Sequence, residues 1–179
     1  MTYRYRIAVI FLAGFFIDCI NIFMSAIALP DISRELHISE SSVVWVANSY
    51  ILGLTLIIPV SNWIASLAGA RLTMMASMLI FSIGALLSGL STDFYSLVIF
   101  RFIQGIGGGL LIPVGQALTF GMFKKDERAR VSTLIMVVAL IAPACSPTVG
   151  GAIVDHLSWR WVFLGNIPFS LISAALALL

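Results

Sequence analysis

Charge is the scarcest feature of this sequence. Lys, Arg, Asp and Glu make up 10% of its 179 residues, against roughly a quarter in ordinary soluble domains. That shortage excludes a domain wrapped in a polar, water-facing shell. The few basic residues are too scattered to form a nucleic-acid face. Cysteine is nearly missing, and both Cys19 and Cys145 fall inside apolar runs, so no disulfide framework is expected. His37 and His156 stand alone in short polar stretches and offer no metal cluster. There is no P-loop and no H-E-x-x-H. Ser, His and Asp occur in no arrangement that points to nucleophilic catalysis. The glycines after Gln104 miss the G-x-G-x-x-G spacing, because Leu110 stands at the last position. Neither an enzyme nor a resident cofactor or metal is expected.

What the sequence has is apolar length. Hydrophobic residues account for 60% of it, and the mean hydropathy is +1.08, values of an integral membrane protein. The runs predict six transmembrane helices over 7–29, 43–65, 72–90, 94–115, 131–154 and 161–179, each near the roughly 20 residues that cross a bilayer core. A cleaved signal peptide competes for the first run, because Ala26-Ile27-Ala28 resembles an A-x-A site. That run is about twice too long for a signal core and carries Asp18 and Asn21, so a retained span is expected. Residues 31–42 read as an acidic loop, and 116–123 as a fraying or amphipathic continuation of the fourth span. Gly69 supplies backbone freedom for a tight turn beside Arg71. With the N-terminus inside, Arg4, Arg6, Arg71, Lys124, Lys125, Arg128 and Arg130 fall on the cytoplasmic side, and only Arg34 and Arg160 outside. The last run ends at Leu179 with no polar residue beyond it. The expectation there is a part of a longer protein or a truncated half.

The polar residues inside the spans carry the functional signal. Asp18 lies near mid-membrane, roughly 16 Å from either face at 1.5 Å per residue. Asn21 and Ser25 follow at i+3 and i+7 and share its helix face. Arg101 sits inside the fourth span, where a cation costs at least about 2.5 kcal/mol and must be paired or face water. An Asp18–Arg101 pair is the expected solution, either as a coupling pair or as a permanent structural one. Gln104, one turn on, is placed to orient the guanidinium or touch a substrate. Gly105 to Gly109 clears a helix face for close approach of a neighbour. Asn48, Thr55 and Asn62 recur at steps of seven on the second span, as a cavity stripe or as interhelical bonds. In the fifth span Pro143 and Pro147 predict a kink, and Ala142, Ser146 and Gly150 a small-residue strip for close crossing.

At these residues the sequence resembles the N-terminal half of a major facilitator superfamily transporter, in the fourteen-spanner drug:proton antiporter branch. The resemblance covers essentially the whole chain. It rests on Ala28-Leu29-Pro30, on Arg101-Phe102-Ile103-Gln104-Gly105-Ile106-Gly107-Gly108, on the block 143–151, and on Trp159-Arg160-Trp161-Val162-Phe163-Leu164-Gly165-Asn166-Ile167-Pro168. Some positions differ. Ser66 and Leu67 stand where the family's second loop has aspartate and arginine, while Gly69 and Arg71 match. The family's first-helix acid aligns on Asn21, with Asp18 a turn earlier. Ala142 and Ser146 occupy places usually held by glycine.

The resemblance implies an all-α half-bundle of two inverted three-helix repeats and transport by alternating access. It implies a multi-pass protein of the inner (plasma) membrane, with the bilayer, protons, a small-molecule substrate and a second half or a homodimer mate as partners. Asp18 and Arg101 would couple the proton, and Asn21, Asn48, Thr55 and Gln104 would line the substrate cavity. Gly69, Arg71, Gly105, Gly108, Pro143, Pro147, Gly150 and Gly151 would serve packing and conformational change. Proton-coupled efflux of small amphipathic compounds is the expected function. A solute importer, or a truncated half without transport of its own, is the alternative.

Overall fold

The computed structural model describes residues 3–178; Met1, Thr2 and Leu179, the end of the expected last span, lie outside them. Apolar runs this long must satisfy their backbone polar groups internally, and the helix does so within one segment. All regular structure among the described residues is helical: α1 (Tyr3–Glu35), α2 (Glu40–Ala68), α3 (Ala70–Leu90), α4 (Phe94–Met122), α5 (Arg128–His156), α6 (Arg160–Leu164) and α7 (Asn166–Leu178). The first five are long and apolar enough to cross a bilayer, and α6 with α7 takes the sixth place.

Helix ends follow local chemistry. The Ser39 hydroxyl accepts from the Ser42 N–H at 3.2 Å and starts α2. Asp93 Oδ1 accepts from the Ser96 N–H at 2.9 Å and starts α4; these side chains take up N–H groups that the first turn leaves unpaired. Gly69, at φ +88°, makes the turn between α2 and α3, a backbone that side chains disfavour.

Two stretches depart from the hydropathy pattern, and a third decides between two readings of it. The expected 31–42 loop shrinks to the four residues between α1 and α2, because α1 runs on through Pro30 to Glu35. Ile32 explains this, being wholly buried against a cluster with Val43, Leu97 and Trp159. Of the two readings for 116–123, fraying or an amphipathic continuation of the fourth span, the structure has a continuation, regular helix to Met122, held by buried Thr119 and by Phe123 packing on Ala8 and Val131. The sixth span divides at Gly165. Pro168 has no N–H for the Leu164 carbonyl, and the Asn166 side chain donates to the Val162 carbonyl at 2.9 Å. By contrast, α5 remains one helix through Pro143 and Pro147.

The packing repeats itself. α4 lies against α2 and α3, α1 lies against α5 and α7, and α3 meets α7. Exchanging α1 with α4, α2 with α5, and α3 with the α6–α7 pair reproduces these contacts, in keeping with two three-helix repeats, although among the described residues α1 also packs on α2 whereas α4 has no such contact with α5. Polar clasps close both ends. At one, Trp159 Nε1 donates to Glu35 at 2.6 Å, Arg160 pairs with Glu35, and Arg160 also donates to the Ser91 carbonyl at 3.1 Å. At the other, Arg4 pairs with Glu127 at 2.7 Å. Between the clasps, α1 and α4 run through the middle of the bundle and bring their polar residues together.

Candidate functional site

The glycines of α4 decide how closely its neighbours come. A Cβ on Gly105 would lie 2.0 Å from the Tyr50 carbonyl oxygen of α2, and one on Gly108 would lie 2.2 Å from Asp18 Oδ1 of α1. A larger residue at Gly105 would meet backbone and fits only if a helix moves, whereas one at Gly108 would meet the ends of the Asp18 and Tyr50 side chains. The bare face therefore presses α2 and α1 against the same stretch of α4.

Arg101 is completely buried there. Its Nε donates to the Val46 carbonyl at 3.2 Å. One terminal nitrogen donates to Asn21 Oδ1 at 2.6 Å and to Gln104 Oε1 at 2.7 Å, and the other to Ser25 Oγ at 3.1 Å. The guanidinium also lies 4.3 Å from the centre of the Tyr50 ring and 5.0 Å from that of Phe163. Every oxygen it meets is uncharged. The cation is thus held by hydrogen bonds and aromatic faces.

Asp18 is likewise buried, at 1% exposure. The Tyr50 hydroxyl donates to its Oδ1, while Oδ2 has no partner among the described residues. A cavity of about 10 Å³ borders the carboxyl, with Ser77, Gly107 and Ser170 also on its wall; that is close to the least volume that holds one water. The expected direct Asp18–Arg101 pair is not formed. Tyr50 intervenes, touching the carboxylate with its hydroxyl and the guanidinium with its ring, and Asn21 takes the place next to the arginine.

The structure therefore gathers Asp18, Asn21, Arg101, Gln104, Gly105 and Gly108 into one cluster. Asn48 and Thr55 lie elsewhere, on the exposed face of α2 with Asn62, and the Thr55 hydroxyl donates to its own helix at Ile51, 2.8 Å away. Gly69 and Arg71 sit at the α2–α3 turn, both exposed. Pro143 is half-buried and Pro147 exposed, whereas Ala142, Ser146 and Gly150 are the buried strip of α5, with Gly150 set against Met24 and Ile27 of α1. Space around Gly151 is open. No trio of His, Cys, Asp or Glu among the described residues is placed to hold a metal, and both cysteines are free.

Tyr50 is the residue that sequence reasoning missed. Its signal was the other face of α2: Val43, Val46, Tyr50 and Gly53 form the buried stripe, and a tyrosine in such a stripe needs a partner for its hydroxyl.

Membrane-length helices packed around a buried carboxyl and a buried guanidinium make this a polytopic membrane bundle. The chain belongs to the major facilitator superfamily, whose family model matches residues 11–179. It is 33% identical over 161 residues to a protein named for multidrug resistance, MdtD, of Pectobacterium atrosepticum, a match covering 90% of this chain and 34% of that protein. The protein of the same name from Salmonella dublin is 31% identical over the same shares. Among solved structures, the proton:xylose symporter XylE bound to 6-bromo-6-deoxy-D-glucose superposes with a TM-score of 0.86 at 14% identity, covering 99% of this chain and 44% of that one. That likeness shows the fold. The chain spans 34% of the length of the curated relatives it matches.

Proposed function

We propose that this chain is the N-terminal half of a proton-coupled exporter of small amphipathic compounds, working by alternating access in the inner (plasma) membrane with its N-terminus in the cytoplasm. The observation that carries the reading is Asp18: a buried carboxyl at mid-helix, bonded through one oxygen and without an ion pair. A carboxylate taken from water is expensive unless it is paired or neutralised by a proton. Proton uptake at Asp18 and the exposure of the site to one side of the membrane or the other are therefore tied together. Arg101, fixed by neutral oxygens, supplies a constant positive field against which that change of charge is felt. Asn21 and Gln104 hold the arginine and border the substrate path.

Asn48 and Thr55, on the open face of α2, then face the second half of the carrier, supplied by further chain or by a second copy. The Gly69–Arg71 turn and the α5 segment with Pro143, Pro147, Gly150 and Gly151 accommodate the rocking of one half on the other. The resistance named in the MdtD relatives favours export of drugs.

The test uses the full-length protein in proteoliposomes with an imposed proton gradient and a fluorescent cationic dye. Dye should move against the proton flow, and the movement should vanish on collapse of the gradient and in Asp18→Asn. Proton-driven transport that survives Asp18→Asn would overturn the coupling role. Solute moving with the proton would make the protein an importer.

A further inference from the structure

Two buried charges in this site do not touch each other, and one side chain touches both. Arg101 has its nitrogens satisfied by Val46, Asn21, Gln104 and Ser25, so it stays in place whether or not Asp18 is charged. Asp18 has a single hydrogen bond, from the Tyr50 hydroxyl to Oδ1. The ring of that tyrosine lies 4.3 Å from the guanidinium, and its residue is wholly buried. Oδ2 is left for the proton, unpartnered and beside a cavity near the size of one water.

We infer that Tyr50 is the positioning residue through which the charge state of Asp18 reaches helix α2; the inference rests on the proton-coupled reading above. One proton adds at Oδ2 and leaves from Oδ2, and Tyr50 keeps its own throughout. What changes is the bond at Oδ1. To a carboxylate it is charge-assisted and about twice as strong as to a neutral acid. The ionised state therefore binds α2 firmly to α1 through this hydroxyl, and the protonated state loosens it. Gly108 makes the contact possible, since a Cβ there would lie 2.2 Å from Oδ1 and 2.7 Å from the tyrosine oxygen.

Buried tyrosines also bond simply to satisfy a hydroxyl, and the experiment separates the two roles. Tyr50→Phe keeps the ring against Arg101 and removes only the donor. The carboxylate then loses a hydrogen bond that favours the charged form. The pH at which proton-driven dye transport is half-maximal should move upward by about one unit, the size of one charge-assisted bond. Gly108→Ala, which crowds the same bond from α4, should move it the same way without altering Tyr50. A lower melting temperature with an unshifted pH profile in both variants would reduce Tyr50 to packing and overturn the inference. If Asp18→Asn retains proton-driven transport, the coupling reading falls first, and that result is visible without any Tyr50 variant.

Discussion

Arg101 shows how a residue that hydrocarbon rejects becomes part of a core. Its planar fork reaches four oxygens on three helices, a set that the compact ammonium of lysine cannot match. Arg101→Lys should therefore lower stability by about 2 kcal/mol or more, the worth of one or two hydrogen bonds to a charged group. Thermal unfolding in detergent would register the loss, and an unchanged midpoint would mean the oxygens find water instead. The glycines beside it give a sharper contrast. Gly105→Ala sets a methyl 2.0 Å from a backbone oxygen that no rotamer can move, and overpacking of this kind costs about 1–3 kcal/mol. Gly121, on the same helix, has nothing within 4 Å of its added Cβ, so Gly121→Ala should be neutral or slightly stabilising through helix propensity. Equal melting points for the two alanines would remove the close-approach argument.

At the scale of helices, most of the architecture was legible. Hydropathy measures bilayer thickness, and the first five apolar runs each lie within one helix, while the sixth is divided at Gly165. The ends were not legible, because packing outside the apolar run sets them. Ile32 draws α1 past Pro30, and Thr119 and Phe123 keep α4 regular beyond Gly115. The break at Gly165 follows from Pro168 and the Asn166 side chain, whose effect depends on which carbonyl is left bare. Within the site, the shared face of Asp18, Asn21 and Ser25 was readable from spacing alone. The partner of Asp18 was not, since choosing between Arg101 and Tyr50 takes distances between helices. Short caps add to element stability independently of this core. Ser39→Ala removes the acceptor for the Ser42 N–H and should cost about 1 kcal/mol, seen as faster hydrogen exchange in the first turn of α2; exchange at the unmodified rate would show the cap to be idle.

The whole molecule is tied at both ends, and the two ties differ in kind. The Trp159–Arg160–Glu35 clasp is backed by a buried indole, with Trp159 at 2% exposure. The Arg4–Glu127 tie is half-buried, with the guanidinium over the Tyr5 and Phe123 rings. There the Lys124 backbone N–H, then Arg4, hold the Glu127 carboxyl below its usual range. A carboxyl lowered in this way contributes above the ordinary carboxylate range and stops contributing as pH falls through its own, lower value. Acidification into that range should free the N-terminal segment from the α4–α5 turn, and Glu127→Gln should do so at neutral pH. Limited proteolysis near Arg4 reads both, and cleavage that is indifferent to pH and to the substitution would rule the tie out. The oxygens around Arg101 have, besides their places, an order in time. Asn21, Ser25 and Val46 are all synthesised before it, and Gln104 follows within a turn. A chain entering the bilayer from its N-terminus lays down the cage first and the cation second. The arginine is spared a stage alone in lipid, about 2.5 kcal/mol or more uphill. A circular permutant that begins with α4 reverses that order and should insert less efficiently.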